Sequence, residues 1–164
     1  MSLRHIGLLG LLLYSLLACA PQPTGQAPIQ VGLVVQEGEG SVQTYCVTLD
    51  MRDPSGYDAL MLAGPPVQAL VSAQGVAVCQ IGEVGCPTGD CFCRCQGSTC
   101  DYWAYSHLRN GHWQTAATGA GGRRLSHGDV EGWRWGGGSP PPVIDFEELC
   151  APGGQAAGAQ SERP

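Results

Sequence analysis

Hydrophobic positions come in short bursts separated by turn residues. Val31-Gly32-Leu33-Val34-Val35 is an apolar run of strand length, and Glu37-Gly38-Glu39-Gly40 after it is a turn. Val42 to Leu49, rich in β-formers, reads as its hairpin partner. Ser55 to Gly64 predicts a short helix: Ser55 can cap its start, Ala59-Leu60-Met61-Leu62 are good helix formers, and Gly64-Pro65-Pro66 stops it. Val67 to Ile81 holds two apolar runs split by Gln74-Gly75, hence two strands. Asp101 to Gln114 reads as a hairpin about Asn110-Gly111, a dipeptide that tolerates the positive φ of a tight turn. Arg124 to Trp135 predicts a final strand led by the turn His127-Gly128-Asp129, and an extended tail runs from Gly137 to Cys150. Two strands, one short helix and several more strands make a small α+β, sandwich-like domain, with the helix packed on a mixed sheet.

The ends of the chain follow a different pattern. Arg4 and His5 precede the apolar stretch Ile6 to Ala18, thirteen residues where a membrane-spanning helix needs about 20. Residues 1–18 therefore read as a secretory signal peptide. Leu16-Leu17-Ala18-Cys19 looks like a bacterial lipobox, which makes Cys19 the acylated new N-terminus, the alternative being an ordinary signal cut near Ala20. The expected partner at this end is a lipid bilayer, and the expected location is extracytoplasmic, anchored to the cell membrane or envelope. Residues 19–29, with Pro21, Pro23 and Pro28, form a semi-extended spacer. The folded unit is placed at 30–150, and residues 151–164, rich in Gly, Ala, Gln and Pro, are expected to be disordered.

Charge narrows the partners. The chain has no lysine and a net charge of −6, which becomes −7 once Arg4 leaves with the signal. Nucleic acid is not an expected partner, because it is held mainly through clustered positive charge.

Nine cysteines are present. Apart from Cys19 they are Cys46, Cys79, Cys86, Cys91, Cys93, Cys95, Cys100 and Cys150, an even number. Outside the cell a small, loop-rich domain with a thin core uses such cysteines as disulfides. The connectivity is open. A bridge from Cys46 to Cys150 would tie the tail to an early strand, leaving the other six to pair among themselves. A metal site in the Cys86–Cys100 loop competes with this reading, although the CxCxC spacing at Cys91, Cys93 and Cys95 is not the usual zinc pattern. A redox role would call for CxxC, which does not occur. No metal or other cofactor is assigned.

Catalytic signatures are missing as well. His107 and His112 do not have the HExxH spacing and read, with His127, as surface residues. Asp129 reads as a turn residue bonded to its own backbone, beside Val130 and Glu131 at the start of the last strand. No Gly-x-Ser-x-Gly, Walker or dinucleotide motif occurs, and the chain is read as a non-enzyme. Aromatic rings gather instead in Tyr102-Trp103-Ala104-Tyr105 and Trp133-Arg134-Trp135. Strand alternation puts Trp103 with Tyr105 on one face and Trp133 with Trp135 on one face. Such rings are either core or an exposed platform for a flat ligand.

Tyr102-Trp103, Asn110-Gly111 and Leu125-Ser126-His127-Gly128-Asp129-Val130-Glu131-Gly132-Trp133, in that order, resemble a family of extracytoplasmic domains of unknown function. That family is similar to the C-terminal β-grasp domain of transcobalamin and intrinsic factor. Cys46, Val78-Cys79, Gly85-Cys86, Cys91-Phe92-Cys93, Trp133-Arg134-Trp135-Gly136 and the ending Pro-Pro-x-Ile-x-Phe-Glu-x-x-Cys look like a cysteine-rich bacterial branch of it. The likeness runs from Val31 to Cys150. It implies a β-grasp fold and capture of a ligand for uptake, cobalamin or a related corrinoid, in company with an energy-coupling type transporter. The chain does not contain the large helical domain that grips the other face of the vitamin, so one β-grasp domain would bind weakly or with a partner. Tyr102, Trp103, Tyr105, Trp113, Trp133 and Trp135 are the candidate contacts. A cell-envelope interaction module without a small ligand is the alternative, and a metal-binding lipoprotein is the third.

Overall fold

The computed structural model describes residues 27–137 and 139–152. The signal segment, Cys19, most of the spacer and the tail beyond residue 152 lie outside the described residues. In chain order the elements are β1 (Ile29–Gln36), β2 (Val42–Leu49), α1 (Gly56–Leu62), β3 (Val67–Ser72), β4 (Gly75–Ile81), β5 (Val84–Gly85), β6 (Arg94–Gln96), β7 (Thr99–Asp101), β8 (Trp103–Arg109), β9 (His112–Thr115), α2 (Gly119–Gly122), β10 (Val130–Trp135) and α3 (Phe146–Leu149).

Five strands form one sheet in the order β2-β1-β10-β8-β9. Two antiparallel hairpins, β1–β2 and β8–β9, flank β10, which lies parallel to β1 and antiparallel to β8. A mixed sheet with the last strand in the middle and a helix after the first hairpin is the arrangement of a β-grasp. Local chemistry explains the pieces. Ser55 Oγ accepts from Asp58 N, and Asp58 Oδ2 accepts from Ser55 N at 2.8 Å, a reciprocal cap that starts α1. Asn110 and Gly111 have φ of 52° and 74°, the left-handed pair that joins β8 to β9 in two residues.

The inner strand β1 is without polar side chains from Val31 to Val35 because both of its faces are covered there. Val31 and Leu33 pack with Val47, Leu49, Ala59 and Leu125 on the α1 side. Val35 on the same face joins Leu60, Trp103 and Trp133, over which Val78 and Ile81 of β4 also close. Residues 67–101 are thus an insertion between α1 and β8 that supplies part of the lid on the main sheet. On the opposite face Val34 and Val130 meet Leu149 of α3, with Leu108, Trp113 and Phe146 at the margin.

The eight cysteines of the described residues form four disulfides: Cys46–Cys150, Cys79–Cys91, Cys86–Cys93 and Cys95–Cys100. Three fasten the insertion to itself, and the fourth ties the end of α3 to β2 across 104 residues. These bridges leave no thiol in the Cys86–Cys100 loop. The CxCxC cysteines are also not on one extended strand: Cys91 and Cys93 lie in a turn and only Cys95 in a strand.

Two boundaries differ from the sequence expectation. The last strand begins at Val130, not Arg124, because Leu125 N donates to Pro54 O and Arg124 bridges Ser55, drawing 124–125 to the start of α1. The tail to Cys150 contains α3, which caps the back of the sheet, and α2 is a second short helix beside α1.

Removing the long bridge, as Cys46→Ala with Cys150→Ala, is expected to lower the unfolding free energy by roughly 2–5 kcal/mol. Urea titration reads this directly, and an unchanged midpoint would show that packing alone holds α3. Gly32→Ala should weaken the same contact by about 1–3 kcal/mol, because its new Cβ would stand 2.5 Å from Leu149 Cδ1.

Candidate functional site

Strand β8 is longer than its outer partner. The β9 pairing ends at Ser106↔Thr115, while pairing with β10 continues to Trp103↔Trp135. Beside the uncovered half of β8 lies a cavity of about 460 Å³. Its lining includes Trp103, Ala104 and Tyr105 of β8, Val76 and Val78 of β4, and Ala120 of α2. That volume sits in the lower part of the range typical of small-ligand sites. Phe92 and Tyr102 stand at its margin with rings 6.0 Å apart, 51% and 41% exposed, respectively. Among the described residues Arg134 is the one charged residue in the lining, and none of them contributes a carboxylate to it. Its Nη1 donates to Gln36 Oε1 at 3.0 Å and its Nη2 pairs with Glu39.

Four of the six proposed contact residues meet here: Tyr102, Trp103, Tyr105 and Trp133. Their roles differ. Tyr102 is free to touch a ligand, whereas Trp103 is 4% exposed and gives its Nε1 hydrogen to Val84 O at 3.0 Å. Trp133 is buried against Tyr105, ring centroids 4.8 Å apart. Trp135 packs on Trp103 and stays outside the cavity lining. Trp113 is on the other face, where Gly132 makes room for its ring: a Cβ at Gly132 would come within 2.7 Å. The two β10 tryptophans share a face as alternation requires, and the insertion gives Trp133 the cover that the small sheet alone does not.

A buried polar cluster occupies the same face one step along the sheet. Glu131 has no exposed surface. It accepts from Tyr105 Oη and from Arg123 Nε, the latter at 3.0 Å, and Arg123 Nη2 reaches Asp129 at 3.4 Å. Asp129 also accepts from Ser126 N at 2.9 Å, so the turn role expected of it is joined by a second. Gly56 at the start of α1 lies so close to the Tyr105 hydroxyl that any side chain there would overlap it. Burial raises the Glu131 carboxyl, Tyr105 and Arg123 pull it partly back, and the outcome is about 7. Burial and then the Glu131 charge push the Tyr105 phenol above its ordinary value. Burial, with Arg123, lowers His107, which faces Glu131 across the strand pair. Glu131 is sealed from solvent while Arg123 and Asp129 stay partly exposed, and the cluster fastens the 123–129 loop and the α1 start to the sheet. Its signal in the sequence was a carboxylate in alternation with Trp133 and Trp135, on an otherwise apolar face.

Because Glu131 titrates higher in the folded chain than in the unfolded one, the native state keeps a proton that the unfolded chain has lost. The stability this confers is complete below about pH 4.5 and disappears as pH rises through about 7. Relative to Glu131→Gln, the wild type should lose roughly 1–3 kcal/mol between pH 4.5 and pH 8. The paired comparison by urea denaturation cancels the opposite drift from His107. A difference that stays flat with pH would mean that Glu131 is ionised throughout.

No family model matches this sequence, and no curated protein matches it at a significant level.

Proposed function

We propose that this is a membrane-anchored extracytoplasmic binding module without enzymatic activity, tethered through acylated Cys19, which captures a ligand for uptake at the cavity beside β8. The observation that carries this reading is the convergence of Tyr102, Trp103, Tyr105 and Trp133, with Phe92, on one cavity of about 460 Å³. Two of these rings are exposed and available for stacking, and the rest form a rigid floor. The resemblance makes a corrinoid the ligand class to test. A cavity of this size would grip one edge of so large a molecule, leaving the remainder to a partner such as an energy-coupling type transporter. No helix among the described residues is long and apolar enough to cross a membrane. A docking module without a small ligand is the second reading, and it is favoured by the uncovered main chain of β8 at the cavity.

Equilibrium dialysis of the intact protein with cyanocobalamin should give saturable binding. Tyr102→Ala or Phe92→Ala should weaken it about three- to tenfold without a change in melting temperature. Absence of saturable binding at millimolar ligand would remove the corrinoid. Trp103→Ala is unsuitable for this purpose, since it empties the core. Cys19→Ser should move the protein from the membrane to the soluble fraction, and retention in the membrane would sink the lipid anchor.

A further inference from the structure

A β-strand turns its main-chain N–H and C=O groups alternately to its two neighbours. Gly136 N donates to Tyr102 O, so Tyr102 faces β10, and by alternation Ala104 and Ser106 do too. Trp103 and Tyr105 therefore face the other way. There the last β9 pair, Ser106↔Thr115, is by the same alternation a non-hydrogen-bonded pair, closed on its far side by Tyr105 C=O accepting from Ala116 N–H, and the register ends with it. Among the described residues no strand pairs with that edge over Trp103–Tyr105. Trp103 and Tyr105 line the cavity, and the main-chain groups left without a strand are Trp103 N–H and C=O and Tyr105 N–H.

We infer that the β8 edge at Trp103 and Tyr105 is a strand-addition site for an extended segment of a partner polypeptide. The occupant follows from the groups it must satisfy. Trp103 N–H and C=O and Tyr105 N–H offer main-chain bonds at the strand repeat, and an extended peptide answers that spacing with its own main chain. The gap of three residues spans about 10 Å, so three or four residues of the partner fill it. The inner wall is built of small apolar residues, Val76, Ala77, Val78, Ala116 and Ala120, which admit an alanine- or valine-sized side chain. Among the described residues no carboxylate lines the cavity although the chain carries a net charge of −6, and a neutral segment meets no repulsion from them. Phe92 and Tyr102 offer exposed rings against which the segment's ends can pack. This deepens the docking reading above and does not depend on the corrinoid one.

The test uses the ¹⁵N-labelled full chain in detergent micelles and the blocked pentapeptide acetyl-Thr-Val-Ala-Val-Thr-amide. In the free protein the Trp103 and Tyr105 amides should exchange with solvent faster than those of Ala104 and Ser106. Saturating peptide should slow both by about tenfold or more. Of two N-methylated peptides, one modified at both valines and the other at the alternate nitrogens, only one should retain binding, because only one set of main-chain groups faces β8. Equal protection of all four amides in the free protein would overturn the inference, and so would equal binding of both methylated peptides. Cyanocobalamin titrated in parallel separates the readings: its binding without peptide binding rejects strand addition and keeps the corrinoid. Peptide binding alone does the reverse.

Discussion

The parallel pairing of β1 with β10 joins the two hairpins into one sheet. Gly32↔Val130 is the first of five register pairs, and it brings together residues almost a hundred positions apart. Until β10 arrives, the β1–β2 and β8–β9 hairpins have no common neighbour. Once it is in place, Trp133 falls beneath the insertion and Glu131 falls beneath Arg123 and Tyr105. The loop before it is fastened to β1 by Gly128 N to Gln30 O and Gly32 N to Asp129 O. Contacts this distant in sequence must repay a large loop-closure entropy, and the Cys46–Cys150 bridge removes part of that cost from the same pair of layers.

The insertion resolves a shortage. A five-stranded sheet with one two-turn helix on this face leaves Trp103 and Trp133 without full cover, and the β3–β4 hairpin supplies the missing apolar surface through Val78 and Ile81. Three local disulfides hold the later part of the insertion in shape, where β5, β6 and β7 are only two or three residues long. The cavity forms where this cover stops short of the β8 edge.

What the sequence made legible was whatever is encoded locally. The β1–β2 hairpin follows from an apolar run and a glycine turn, α1 from Ser55, and β8–β9 from Asn110-Gly111. The Cys46–Cys150 bridge also joins the two regions expected to be tied. Strand order lay beyond reach, since nothing near Val130 declares β1 as its neighbour. The four residues of α3 are too few to display a helical period. For the aromatic set, alternation gave the faces correctly but not the burial, because the lid over Trp103 and Trp133 comes from residues far away in the chain. Glu131 escaped notice for the same reason: Tyr105 and Arg123 become its partners only after folding.

Parallel strands share a direction, and this gives the domain two poles. The chain enters β1 at Ile29, beside the 126–129 turn, while the cavity lies toward the far end of β10, at Trp133, Arg134, Gly136 and Gly137. The separation is one strand length, about 20 Å. If the proposed tether through Cys19 holds, the point of attachment and the uncovered β8 edge would lie toward opposite poles of the domain. Partners would then be met from the aqueous side, and the length of the proline-containing spacer would set how far above the lipid that meeting takes place.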